Sequence, residues 1–124
     1  MDAGRMKRTS GRTGHVVREV RAPAAPDVVL IAIEGALDAR AEATVDPLLD
    51  ELALAGRRRV VLDCARVRHV TASGLRVLAR HAEALRAQGG GLTLVGCPPR
   101  MRVCVEMLGL APLFAAVCAR APCL

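Results

Sequence analysis

Aromatic side chains are almost missing from this chain. Phe114 is the only ring, with no Trp and no Tyr. Proteins that hold single-stranded nucleic acid stack its bases on aromatic platforms, so that class loses its main support. Lysine is as scarce, Lys7 standing alone. Arginine carries the remaining positive charge beside abundant alanine, a pattern that follows from GC-rich codons. The formal net charge of +6 is therefore weak evidence for a polyanionic partner, and no nucleic-acid partner is expected. Half of that charge sits on residues 1–14, where Arg5, Lys7, Arg8 and Arg12 outnumber Asp2. This stretch has no apolar periodicity and is expected to be a disordered basic tail.

Long apolar runs are missing too. The longest uncharged stretch, Met107 to Ala119, is too short to span a bilayer, and the N-terminus has no apolar signal core. The expectation is a cytoplasmic chain with no direct membrane insertion. The five cysteines (Cys64, Cys97, Cys104, Cys118 and Cys123) form no CxxC and no Cys/His ligand pattern. They read as small buried hydrophobes of a reducing compartment, and neither a metal nor a cofactor is expected.

Catalytic signatures are lacking as well. There is no GxSxG elbow. His15 lies at the tail boundary, His81 on the wet face of a helical pattern, and His69 near Ser73 with no Asp to orient it. A Ser–His mechanism needs both base and orienter, so the chain reads as a non-enzyme. Gly89-Gly90-Gly91 lies between a helix and a strand, the reverse of a phosphate loop; it is a helix stop. Arg57-Arg58-Arg59 precede a buried strand, as solubilising gatekeepers do.

What is present is apolar content of 52%, enough for one domain with a core of Val, Leu, Ala and Ile. His15–Val20 alternates weakly and predicts an edge strand; RAPAAP (21–26) predicts a turn. DVVLIAIE (27–34) predicts a strong strand closed by Gly35. A helix is predicted over 41–55, with Val45, Leu48, Leu49 and Leu52 on one face. Thr44 or Asp46 would cap it, leaving Pro47 in its first turn. VVLDC (60–64) is a second buried strand. A helix over 72–88 buries Leu75, Leu78, Ala79, Ala82 and Leu85 and wets Arg76, Arg80, Glu83 and Arg86. LTLV (92–95) is a third strand. Pro98-Pro99 opens a helix that buries Met101, Cys104, Val105 and Leu108 and ends at Gly109. Leu110–Phe114 predicts a short strand, and 116–124 a tail or the end of a last helix. Apolar strands alternating with helices predict an α/β domain: a mixed, mostly parallel β-sheet with helices packed on it.

The junction HVTASGLRVL (69–78) stands out. Thr71 is placed to cap the helix. Ser73 falls in the first helical turn, near unpaired amides and the positive end of the dipole. Small residues through Gly74 leave that helix start uncovered, which suits either phosphorylation or the close approach of a partner.

Three stretches, GALDARAEATVDPLLDEL (35–52), VVLDCARVRHVTASGLRVLARHAEALRAQGGGLTLVG (60–96) and Pro98–Phe114, together resemble STAS domains over residues 15–115. More narrowly, they resemble bacterial anti-sigma-factor antagonists. The G-x-LD turn, the SGL-x-x-L run after a VxLD strand and the order of elements carry the resemblance jointly. It implies partner switching without catalysis. The antagonist binds an anti-sigma factor that is also a serine kinase, which frees a sigma factor for transcription. Phosphorylation of the antagonist breaks the complex, and a phosphatase restores it. A monomer or weak dimer without cofactor is expected.

The family's switch motif reads Asp-Ser-Ser/Thr-Gly-Leu, its first Ser taking the phosphate. Here Thr71 stands at the Asp position and Ala72 at the acceptor position, while Ser73, Gly74 and Leu75 match. Asp38 matches the acid of the LD turn. The resemblance thus implies a partner-binding switch patch of Asp38, Thr71, Ala72, Ser73 and Gly74 that lacks the usual acceptor hydroxyl. A switch locked in its binding state, phosphate on Ser73 (the fallback acceptor) or Thr71, and regulation elsewhere all stay open. The alternative is a STAS subunit of another assembly, such as a lipid-transport ABC complex or a stress-signalling scaffold.

Overall fold

The computed structural model describes residues 28–117 in full and the backbone alone of residues 6–10 and 16–21. Its elements are β1 (Met6–Ser10), β2 (Val16–Arg21), β3 (Val28–Leu37), α1 (Ala41–Leu54), β4 (Arg59–Val70), α2 (Ala72–Ala87), β5 (Gly91–Val95), α3 (Pro99–Met107) and β6 (Ala116–Val117), with a 3-10 turn at Ala111–Leu113. The six strands form one sheet whose spatial order is the chain order. β1, β2 and β3 pair antiparallel; β3 to β6 pair parallel. The mixed, mostly parallel α/β architecture predicted from the apolar pattern is the one observed.

Burial alternates along β3, with Val29, Ile31 and Ile33 inside. A strand with one covered face produces this period of two. With Val60, Leu62, Leu92 and Leu94 these side chains meet Leu48 and Leu49 of α1 and Leu75, Leu78 and Leu85 of α2 in one core, which Phe114 joins. The faces predicted for α1 and α2 are the buried ones. On α3, Met101 and Val105 are buried, while Cys104 and Leu108 are only partly so.

Several boundaries differ from the sequence pattern, each for a local reason. β3 does not stop at Gly35. It continues to Leu37 through two register shifts against β4, because a bulge lets a strand bend and keep its partner. β4 likewise runs on from Cys64 to Val70. Residues 110–114 do not add a strand: Pro112 lacks an amide donor, a 3-10 turn forms, and the ladder resumes at Ala116–Val117, beyond the predicted end of the domain. β2 is not an edge, since β1 pairs outside it. Residues 6–10 are a strand, which corrects the expectation of a disordered tail there; backbone amides pair with an open strand edge whatever their side chains. The rest of that tail, the 21–26 turn beyond Arg21, and residues 118–124 with Cys118 and Cys123 lie outside the described residues.

α1 starts at Ala41, as predicted, but without the predicted cap. Arg40 holds the N-cap position without a side-chain cap, and the first turn is drawn tight by Ala41 N–H donating to the Asp38 carbonyl at 2.9 Å. Thr44 and Asp46 therefore cap nothing, and Pro47 lies inside the helix. A proline there offers no amide to the Ala43 carbonyl; the buried stripe of Val45, Leu48, Leu49 and Leu52 holds the helix in place regardless. Pro47→Ala is expected to raise stability by about 1–3 kcal/mol. A urea melt checks it; an unchanged or lower midpoint would count against the reading.

α2 ends as the triple glycine predicts. Gly89 adopts φ +85°, a left-handed conformation cheap only for glycine. The amide of Gly90 then reaches back to the Leu85 carbonyl at 2.9 Å, closing the helix end.

Candidate partner-docking site

The continuation of β3 beyond Gly35 and the two bulges in β4, each one extra residue long, bring two chain ends together. Leu37 pairs with Val70 as the last rung of their ladder. One residue further, the Thr71 amide donates to the Leu37 carbonyl at 3.0 Å. Thr71 is extended and is the N-cap of α2, its Oγ1 accepting from the Gly74 amide at 3.2 Å. The predicted cap is in place.

Gly74 explains why the junction is built from small residues. A Cβ there would sit 2.2 Å from the Leu37 carbonyl oxygen and 2.8 Å from the Asp38 amide nitrogen. No side chain fits, so the first turn of α2 lies directly on the backbone of the Leu37–Asp38 turn. Gly74 is buried, Thr71 and Ala72 are half-buried, and Ser73 is exposed. Four of the five predicted patch residues thus form one short surface around the helix start, and Asp38 follows the backbone against which Gly74 rests.

Asp38 is engaged within its own turn. Its Oδ1 accepts from the Arg40 amide at 3.0 Å, and its Oδ2 accepts from Arg40 Nη2 at 2.8 Å. This hydrogen bond and the charge of Asp38 raise the pKa of the Arg40 guanidinium. The carboxylate shapes the turn, and Arg40 shields it, a residue the sequence reading passes over although i, i+2 spacing allows the contact.

An open groove of about 290 Å³ runs beside Ser73, lined by Ala39, Glu42, Arg76, Val77 and Arg80. Arg80 is committed to Asp46 at 3.0 Å and Glu42 at 3.5 Å. Arg76, one helical turn beyond Ser73, has no ion-pair partner among the described residues. The i, i+3 spacing of Ser73 and Arg76 is legible in the sequence, but the groove wall from α1 is not. His81 is not on the wet face: only 11% of its side chain is exposed, and its Nε2 contacts Asp46, tying α2 to α1. His69 is exposed on β4, and no hydrogen bond joins it to Ser73 among the described residues.

Cys64 and Cys97 are buried in the core and Cys104 is half-buried; all three are free thiols. A hydrogen bond to Cys97, reinforced by burial, pushes the Cys64 thiol well above its ordinary range. Among the described residues no three His, Cys, Asp or Glu side chains gather to hold a metal, and no helix is long and apolar enough to cross a membrane.

The STAS domain family profile matches residues 19–120. The chain belongs to the STAS domain family. BtrV of Bordetella bronchiseptica, by name an anti-sigma factor antagonist, is 39% identical over 59 residues, which span 48% of this chain and 51% of that protein. The chain thus matches about half the length of this relative. The STAS fold here also resembles solved structures of anti-sigma factor antagonists. SpoIIAA in its unphosphorylated form superposes with a TM-score of 0.62 at 15% identity, covering 95% of this chain and 90% of the other. The phosphorylated form of the Bacillus cell fate determinant SpoIIAA superposes with a TM-score of 0.59 at 18% identity, covering 90% of each chain.

Proposed function

We propose that this STAS protein is an anti-sigma factor antagonist. It binds an anti-sigma factor of the serine kinase type in a partner-switching pathway that regulates transcription. It works in the cytoplasm as a monomer or weak dimer, is not an enzyme, and takes no cofactor. Binding uses the patch of Asp38, Thr71, Ala72, Ser73 and Gly74. The observation that carries this reading is the uncovered start of α2: Ser73 is exposed and Gly74 lets the helix rest on the Leu37–Asp38 backbone, so a partner's backbone can approach both at once. The names of the relatives and of the structural neighbours support it.

The switch departs from the family pattern. Ala72 has no hydroxyl, so phosphate cannot be placed at the usual position. The antagonist therefore binds constitutively, with Ser73 as the fallback acceptor, since Thr71 Oγ1 is occupied as the helix cap. A phosphate on Ser73, with roughly −1.5 to −2 charges, would meet the N-terminal amides of α2 and the free Arg76.

Incubation with the serine kinases of its own genome and ATP, followed by mass spectrometric mapping, tests the switch. The expected result is retained binding and no stoichiometric phosphate on the chain. Phosphate on Ser73 or Thr71 together with loss of binding would overturn constitutive binding. Ser73→Asp is expected to weaken partner binding about tenfold, or ~1.4 kcal/mol, while the melting temperature stays nearly unchanged because the residue is exposed.

A further inference from the structure

Beside the docking patch, at the same end of the sheet, lies a second groove that the switch residues do not use. It has a volume of about 290 Å³ and is lined by Val67, Arg68 and Val70 of β4 and by Pro98, Arg100 and Met101 at the start of α3. Val70 immediately precedes Thr71, so the groove continues the docking patch along the chain.

Its charge is uncompensated. Arg40, Arg66 and Arg80 each face a carboxylate, and Arg86 donates to the Pro112 carbonyl. The guanidinium groups of Arg68 and Arg100 have no ion-pair or hydrogen-bond partner among the described residues, and both residues are exposed. Glu106 is the one carboxylate on α3. The same helix turns apolar side chains outward: Val103 is 53% and Met107 81% exposed. Arg100, Val103 and Met107 recur at i, i+3 and i+7, one stripe of the helix.

Unpaired arginines beside exposed aliphatic side chains fit an acidic segment that also carries apolar residues. We propose that this groove and the outer stripe of α3 are a second contact surface, which receives an acidic, partly apolar segment of the anti-sigma factor. The inference rests on the antagonist reading above. Carboxylates of that segment pair with Arg68 and Arg100, and an apolar side chain enters between Val70 and Met101. Charge pairing at such a rim speeds encounter and is weakened by salt.

The test titrates the anti-sigma factors of its own genome into the full chain by calorimetry at low and at physiological salt. Arg68→Glu and Arg100→Glu are each expected to weaken binding at least tenfold at low salt and to flatten the salt dependence. Arg58→Glu, an equal charge change on an exposed residue at the opposite end of β4, should leave affinity within twofold. If an anti-sigma factor binds the wild-type chain and neither reversal changes its affinity, this inference fails and the antagonist reading stands. If none of them binds the wild-type chain, the antagonist reading fails and takes this inference with it. Should a reversal lower the melting temperature, Arg68→Gln and Arg100→Gln replace it with the same expectation at about threefold, and threefold losses shared by Arg58→Gln would equally sink the idea.

Discussion

Gly74→Ala is expected to destabilise the protein by about 3 kcal/mol or more, the upper range of overpacking. Helix propensity alone predicts the opposite sign, since alanine is better than glycine inside a helix by roughly 0.8–1 kcal/mol. The tertiary contact decides. The added methyl would lie 2.2 Å from the Leu37 oxygen and 2.5 Å from its carbonyl carbon. Both are backbone atoms, which no rotamer change can move aside. To relieve the overlap, α2 must lift from the Leu37–Asp38 turn, and the bond from the Thr71 amide to the Leu37 carbonyl stretches with it. The same movement distorts the docking patch, so partner binding should fall together with stability. Urea melts and binding on one preparation check this. A Gly74→Ala protein as stable as wild type would mean that the close approach of α2 is not needed for the fold. Ser73→Ala, one residue earlier and exposed, serves as the control and should lie within about 0.5 kcal/mol of wild type.

The second large effect lies in the core. Leu78 is 0% exposed, in the middle of the buried face of α2. Leu78→Ala removes three carbons and leaves a cavity that the surrounding strands fill only in part, at a cost of about 2–5 kcal/mol. Against a total stability of roughly 5–15 kcal/mol for a domain, this is a substantial fraction. At about 4 °C per kcal/mol for a chain of this size, the melting temperature should fall by roughly 8–20 °C. Leu54→Ala provides the contrast, because Leu54 is 91% exposed and its loss should shift stability by less than about 0.5 kcal/mol. Equal losses for the two variants would contradict the packing described for α2.

Both predictions turn on the same helix, yet they draw on different kinds of information. The buried face of α2 follows from apolar residues recurring every three to four positions, and Thr71 as its cap follows from a hydroxyl placed before the first turn. β3, β4 and β5 are equally visible as short apolar runs between turn signals, and their alternation with helices fixes an α/β sheet. These features are local: each depends on side chains within one or two turns of each other, so the order of residues along the chain suffices to see them.

What the order of residues could not settle was where pairing stops and what touches across the fold. Gly35 reads as a strand end, but β4 offers a partner beyond it, and a bulge costs less than leaving those amides unpaired. α1 starts before its polar cap candidates because the Asp38–Arg40 turn supplies the first bonds, which leaves Pro47 inside the helix. His81 looks wet on a helical wheel until Asp46 of α1 meets it. Residues 6–10 look featureless until β2 presents an edge. The docking patch combines both kinds. Its members were legible as a small, hydroxyl-bearing helix start and a matching acid. Gly74, however, is required because of a carbonyl 37 positions earlier in the chain, and Arg40 covers Asp38 because the turn folds back on itself. Sequence determined β3, β4 and β5, the helices and the buried faces of α1 and α2, since periodicity and capping act over short separations. Tertiary structure alone decided strand length, the pairing of residues 6–10 and the backbone contact beneath Gly74, since each depends on a partner that only folding brings within van der Waals or hydrogen-bond reach.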